Sequence, residues 1–518
     1  MKKNFLFIIS ISAVITTIIG VIWHQKHKAL LTNKYSFQKI HQARALEDFN
    51  EFKTILERKS SYVQVSNPEV YEHLEILEQT IKQHDSIEVH LFAYEFEKII
   101  AETIDRHAYA RHPDFNEDKI ELLNLYFPYI LAPFMDKALV LKKEPGLETY
   151  DYAFKAYPYL KQIHKMPLHD FIETYAYRRK NAPKASKLYD GLRDIRYIGE
   201  LLYKNGHDAE IPIELVLTNG KKDTTFNINL VPEKQSWRNT ATRAYSDISD
   251  KMYFGEPFEY ERLSTWLKDS IAYINIPDMA SYYDYTDLEA HITKTIDGFS
   301  TAQALIVDIR NNGGGTREIL NTLSGYFVQP EQSPWVANIT YVRQDEKSKP
   351  PIDGMNSRFL YTYNSDQFDE KDREAIDQFN KNYTSKTQFD TDKFSEPHYM
   401  ILKNKRPFDV PVYILVNQNC FSAASVFTSV FKGLPNVKIA GVTTNGSSGR
   451  SHKFTLQHSK IKIKLSTMLS FQRNGKTLDG NGTQPDLIIP MDETHVLGKS
   501  DTQLEQLISH IKTQHATR

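Results

Sequence analysis

Cysteine occurs once in the 518 residues, as Cys420. No disulfide can form within the chain, and no cluster of thiolates can hold a metal. That leaves a reduced compartment, or an exported protein large enough to do without covalent staples. An excess of either charge is also missing: 64 Lys and Arg stand against 65 Asp and Glu, a formal net charge of -1. Nothing in that balance argues for nucleic acid as a partner, or for an acidic solvating tail. No internal repeat and no low-complexity tract is found. One stretch lacks charge altogether, from Phe5 to Trp23.

That stretch is about as long as a bilayer-spanning helix requires. Lys2 and Lys3 precede it, and His24, Lys26 and Lys28 follow. The exit Gly20-Val-Ile-Trp-His carries no clear cleavage pattern, and no cysteine is at hand for lipid attachment. An uncleaved signal-anchor over residues 1–28 is expected, with a cleaved signal peptide as the alternative. The chain is thus expected to be exported and held at the cell envelope, on the periplasmic or extracytoplasmic side. Positive charge flanks both ends, so orientation is weakly specified.

What the chain does contain is ordinary for a folded protein, and its length calls for two to four domains. Residues 29–60 are polar and read as a helical stalk. From Pro68 to Arg111, apolar residues recur at three and four positions (Tyr71, Leu74, Leu77, Ile81, then Phe92, Phe96, Ile99, Ile100), which predicts two helices broken near 83–86. An N-terminal helical domain is placed at 29–134. Residues 135–232 read as a small mixed domain, with a hairpin around Asn219-Gly220. From 233 to 495 strands alternate with helices: 270–276, 288–299, 304–309, 317–327, 410–416, 422–431 and 437–440. That rhythm predicts an α/β layer of βαβ units. A charged, aliphatic-poor insertion is expected at about 340–400, and a helix or tail at 496–518. The fold class is α/β in its core and α+β overall.

Three constellations could carry chemistry. Asp308-Ile-Arg-Asn-Asn-Gly-Gly-Gly315 follows an apolar strand, and its glycines let backbone amides approach an anion. It lacks the Gly-Lys-Ser/Thr of a P-loop and the glycine spacing of a dinucleotide site. Val412-Tyr-Ile-Leu-Val-Asn-Gln-Asn-Cys-Phe-Ser422 is a buried strand and tight turn that place Ser422 where a helix begins. Ser422 could be a nucleophile there, or only the helix cap. Cys420, two residues earlier, reads as a small buried thiol. Gly475-Lys-Thr-Leu-Asp479-Gly-Asn-Gly-Thr-Gln-Pro-Asp486 sets two acids on a glycine-rich loop, where turn roles are the default. Nothing suggests a metal, nucleotide or flavin, so no cofactor is expected.

Together these pieces, over roughly 270–490, resemble the carboxyl-terminal processing peptidase and tricorn-core family of serine peptidases. Ala304–Gly315, Val412–Phe431 with Gly441-Val-Thr-Thr-Asn-Gly446, and Leu478-Asp-Gly-Asn-Gly-Thr-Gln-Pro-Asp-Leu match that family's motifs in order and separation. The resemblance implies a crotonase-like ββα peptidase core, a divergent PDZ-like domain at 135–232, and a peptide or unfolded protein as substrate. It makes Ser422 the nucleophile, and it makes Gly314, Gly313 and the amide of Ser422 the oxyanion hole.

The chain departs from the bacterial processing branch at the general base. Where that branch has a lysine, this sequence has Ser447, and Lys453 is the nearest lysine downstream. The tricorn-like branch uses a histidine instead. Ile99-Ile-Ala-Glu-Thr-Ile-Asp105-Arg-His107-Ala resembles its Asp-Gly-His-Thr segment, differing at Arg106 and Ala108. His107 is the implied base, with His112 as a neighbouring competitor. An imidazole titrates near pH ~6.5, where a base works well. Asp479 is the implied orienting acid, one methylene shorter than the usual Glu, with Asp105 as the alternative. A catalytically inactive protein that binds peptides or small hydrophobic ligands on this scaffold is the rival reading. A tethered interaction protein built on its PDZ-like domain is another.

Overall fold

The computed structural model describes residues 38–112, 121–206, 212–236, 246–344, 352–406 and 408–516. The apolar segment at 5–23 lies outside them. Among the described residues no helix is long and apolar enough to cross a membrane.

Three helices open the described chain: α1 (Gln42–Lys59), α2 (Glu69–Lys82) and α3 (Val89–Ala101). The two helices expected between 68 and 111 are α2 and α3. The stalk expected over 29–60 is, within the described residues 38–60, a packed helix instead. α1 buries Ala45, Phe49, Phe52 and Leu56, and the Phe52 ring lies 4.2 Å from that of Phe96. An average polar composition conceals this apolar stripe at helical spacing. After α3 comes the short strand β1 (Tyr109–Arg111).

Residues 130–228 build a seven-stranded antiparallel sheet. Its hairpin pairs Thr218 with Asp223 around the Asn219-Gly220 turn. The strand Ile213–Thr218 turns Ile213, Leu215 and Leu217 inward. They meet the helices Leu168–Tyr175 and α4 (Lys184–Ile195) in one core. The strand Ile130–Phe134 belongs to this sheet, ahead of the boundary expected at 135.

The C-terminal half is the α/β layer. β2 (Ile271–Asn275), β3 (Ala304–Asp308), β4 (Val412–Val416) and β5 (Val437–Gly441) run parallel, side by side. Leu487–Ile488 extends the parallel run, and antiparallel Ser264–Trp266 closes the other edge. Every residue of β2 and β3 is buried, as parallel strands covered on both faces require. One face carries α5 (Glu318–Phe327) and α6 (Ala423–Phe431). The other is covered by Leu507 and Ile511 of the C-terminal helix α7 (Thr502–Ala516). Arg310 ties that helix to the sheet, its Nη2 lying 2.6 Å from both Asp308 Oδ2 and Asp501 Oδ2. Asp308 and Arg310 are therefore structural members of their motif.

The expected insertion at 340–400 is woven into the molecule. It carries the helix Glu370–Asn382, but its ends join a four-stranded sheet of Trp335–Val342, His398–Leu402, Tyr361–Thr362 and Met468–Gln472.

One small sheet joins the two ends of the chain. β6 (Ser451–Thr455) pairs with β7 (Lys462–Ser466), and β7 pairs with β1. Its inner face (Ala110, Ile463, Leu465) shares a core with α1, α2 and α3. This pairing fixes the segment just before β1 against the C-terminal half of the chain.

Candidate active site

Ser422 stands on the turn between β4 and α6. Its backbone has φ 52° and ψ -121°, a conformation that costs an L-residue of the order of 1–3 kcal/mol and is retained where surrounding structure compels it. A strained serine between a strand and a helix is a nucleophile elbow in geometry. All residues of α6 are buried, so the helix cannot shift to relax the turn. The cap reading fails, because the Ser422 side chain makes no capping hydrogen bond. Its Oγ instead lies 3.2 Å from Nε2 of His107, a residue 315 positions away in sequence.

The turn is locked by asparagines. The Asn311 amide donates to Asn417 Oδ1 (3.0 Å), and Asn417 and Asn419 donate back to Asn311 Oδ1 at 2.9 and 2.8 Å. Gly314 packs so closely on the elbow that a Cβ there would lie 2.6 Å from Ser422 Cβ, at a φ of +98°. Only glycine fits.

His107 leaves the end of α3 through an Asp-x-His turn, its amide donating to Asp105 Oδ1 at 3.0 Å. Asp105 is buried and also accepts from the Ser466 hydroxyl (2.7 Å) and amide (2.6 Å). Desolvation nevertheless raises its carboxyl above the ordinary value. Arg106, the departure from the Asp-Gly-His pattern, points away into a buried ion pair with Asp190 of α4 (2.9 Å) and to Asn445 (3.0 Å). The His107 ring stacks obliquely on Phe421 at 4.7 Å. Opposite it is Gly449, where a Cβ would lie 2.7 Å from Nδ1.

Asp479 is fully buried. Its Oδ2 accepts from Tyr62 Oη at 2.6 Å and from the Ser448 hydroxyl. Its Oδ1 has no hydrogen-bond partner among the described residues. One donor atom from each of Asp105, His107 and Asp479 lies within 4.8 Å of the others. The shorter carboxylate thus approaches the imidazole without bonding it directly. Burial pushes the Asp479 carboxyl up to about 7, against the opposing hydrogen bonds from Ser448 and Tyr62.

Of the three expected oxyanion amides, two are already engaged. The Ser422 amide donates to Ser447 Oγ at 2.6 Å, and the Gly314 amide donates to Asn312 Oδ1 at 2.8 Å. Both are spent internally. The amides of Gly313, an exposed residue, and of Ala423, the first residue of α6, make no hydrogen bond among the described residues. Ser447, in the lysine's place, therefore sits on the amide of Ser422 itself.

The alternatives fall elsewhere. Lys453 is exposed on β6. Cys420 is buried, its thiol directed at the Ile309 carbonyl (3.1 Å) and pushed up to about 12 by burial. Asp486 bonds the Ile439 amide (2.9 Å) and pairs with Lys432 (2.6 Å), a backbone role. Sequence reasoning missed Tyr62 and Ser448. Ser448 lay beside a residue already singled out, whereas Tyr62 carries no local signal at all.

Residues 270–489 match the model of Peptidase family S41. Among curated proteins none matches. Among the solved structures that share the fold are mature CPAF complexed with lactacystin, 15% identical with a TM-score of 0.57, and mature CPAF alone, 14% identical with a TM-score of 0.57. Each alignment covers 91% of this chain and 98% of the other.

Proposed function

Since the chain belongs to peptidase family S41 through residues 270–489 and is a serine-type peptidase, we propose that it cleaves peptide bonds through Ser422, His107 and Asp479 by way of an acyl-enzyme. The observation that carries this reading is the 3.2 Å approach of His107 Nε2 to Ser422 Oγ on a strained elbow. Ser422 Oγ attacks the carbonyl carbon while its proton passes to His107 Nε2. The negative oxygen is received by the amides of Gly313 and Ala423, the latter helped by the N-terminal end of α6. The imidazolium then gives its proton to the leaving amine, and water resolves the ester by the reverse path. Asp479, when ionised, favours the imidazolium from within the same cluster.

A fluorophosphonate probe tests this. It should label the folded protein at Ser422, with labelling abolished in Ser422→Ala and reduced roughly 10³-fold or more in His107→Ala. A double variant should be no worse than either single one, because the two groups act as a unit. Folded protein that takes no label overturns the reading. Export and anchoring rest on the sequence at 5–23 alone, and cell fractionation tests them.

A further inference from the structure

Beside His107 and Phe421 opens a cavity of about 310 Å³, whose wall continues along β1. The small sheet of β6, β7 and β1 alternates sharply. Ala110, Ile463 and Leu465 face the helical core, so Tyr109, Arg111, Lys453, Lys462 and Lys464 occupy the outer face. Register sets Lys453 directly opposite Lys464, and Lys462 directly opposite Arg111. Like charges across a ladder destabilise a sheet. Among the described residues no carboxylate pairs with them: none of the four cations forms an ion pair or a side-chain hydrogen bond, and Asp105 attracts Lys464 only through space. Arg111 and Lys464 merely flank the Tyr109 ring, at 4.9 and 5.7 Å. Two acids line the cavity: Glu97 is already committed to Arg178 and Lys204, and Asp105 is committed to Ser466 and the His107 amide. In a chain of net charge -1, this concentration is local.

We propose that this cationic strip is a substrate subsite for acidic side chains, so that the enzyme favours peptides carrying Asp or Glu within about four residues of the scissile bond, the distance in extended chain from His107 to Arg111. The inference rests on the peptidase reading and specifies its substrate class. Four cations on one short sheet are too few for the six to ten phosphate contacts of a typical nucleic-acid site. They suit an extended acidic strand leading into the cleft.

The test uses two quenched, C-terminally amidated peptides, identical except that Glu residues flanking the cleavable bond become Gln. The full chain should show a kcat/KM ratio of roughly tenfold in favour of Glu, falling towards unity in Arg111→Gln/Lys464→Gln and with added salt. The ratio is internal, so a variant that folds poorly still reports it. The control Lys371→Gln, on an exposed helix position, should keep the ratio. Binding of the acidic peptide to Ser422→Ala, followed by fluorescence anisotropy, reads the strip without turnover. If Ser422 takes no fluorophosphonate label yet the acidic peptide binds through Lys464, the subsite stands and the hydrolytic reading falls. A ratio near unity in the unmodified chain, a ratio unchanged in the double variant, or tighter binding of anionic phospholipid vesicles than of the acidic peptide overturns the proposal.

Discussion

Replacing Asp479 by asparagine should stabilise the protein and inactivate it in one step. The Asp479 carboxyl is fully buried, and its midpoint is pushed up to about 7 from the ordinary 3.8. Between those two values the native chain holds a proton that the unfolded chain has released. Stability therefore falls as pH rises through that window, with all of the loss incurred above pH ~7. Each pH unit is worth about 1.4 kcal/mol, so the full loss is roughly 4 kcal/mol. Asparagine carries no charge, yet keeps an acceptor for Tyr62 and Ser448. The variant should match the parent below pH ~4 and exceed it by a few kcal/mol near pH ~8. Activity should move the other way. An amide NH₂ beside the imidazole favours the tautomer whose proton sits on Nε2, which would present Ser422 with a donor instead of a base. The comparable exchange in a serine triad costs about 10⁴ in kcat. Denaturant midpoints near pH ~5 and pH ~8 measure the first effect, and fluorophosphonate labelling rates at Ser422 measure the second. An unchanged difference in midpoint between the two pH values would refute the buried-carboxyl argument. Labelling within about tenfold of the parent would refute the orienting role.

Two further outcomes follow from the same geometry. Gly449→Ala would set a methyl 2.7 Å from His107 Nδ1; the ring must move, and kcat should fall about 10²-fold with little change in unfolding midpoint. Tyr62→Phe removes a hydrogen bond that favours ionised Asp479. The acid limb of the kcat/KM profile should therefore shift to higher pH, a displacement that loss of packing alone would not produce.

Much of the fold was legible because its signals are local. The strand and helix alternation from 270 to 441 follows from apolar runs and turn residues, and each expected element is present within a few residues. The elements misread were those whose average composition masks their pattern. α1 has a polar mean but a continuous apolar stripe. The 340–400 segment has few aliphatics, yet aromatics such as Phe368 and Tyr399 supply its core. Neither segment is loose, because burial counts positions and not averages.

The site was legible in the same uneven way. Ser422 and the Gly313-Gly314 turn are adjacent to strong strands, so chain-local chemistry pointed to them. His107 was reached only through the resemblance of its short Asp-x-His segment, and the structure supplies the physical cause: Asp105 grips the His107 amide while Ser466 grips Asp105. That grip depends on β1 pairing with β7, a contact that no sequence pattern announces. Of the three expected oxyanion amides, only that of Gly313 stays open among the described residues, for a related reason. A glycine-rich turn offers several amides, and which of them stays open depends on side chains that arrive from elsewhere, Ser447 on the Ser422 amide and Asn312 on that of Gly314. Tyr62 reaches Asp479 across 417 positions, so its role follows from packing alone. The elbow and glycine turn are thus local to the peptidase layer. His107 and Tyr62 arrive from the N-terminal segment, and the geometry depends on the core those two parts share.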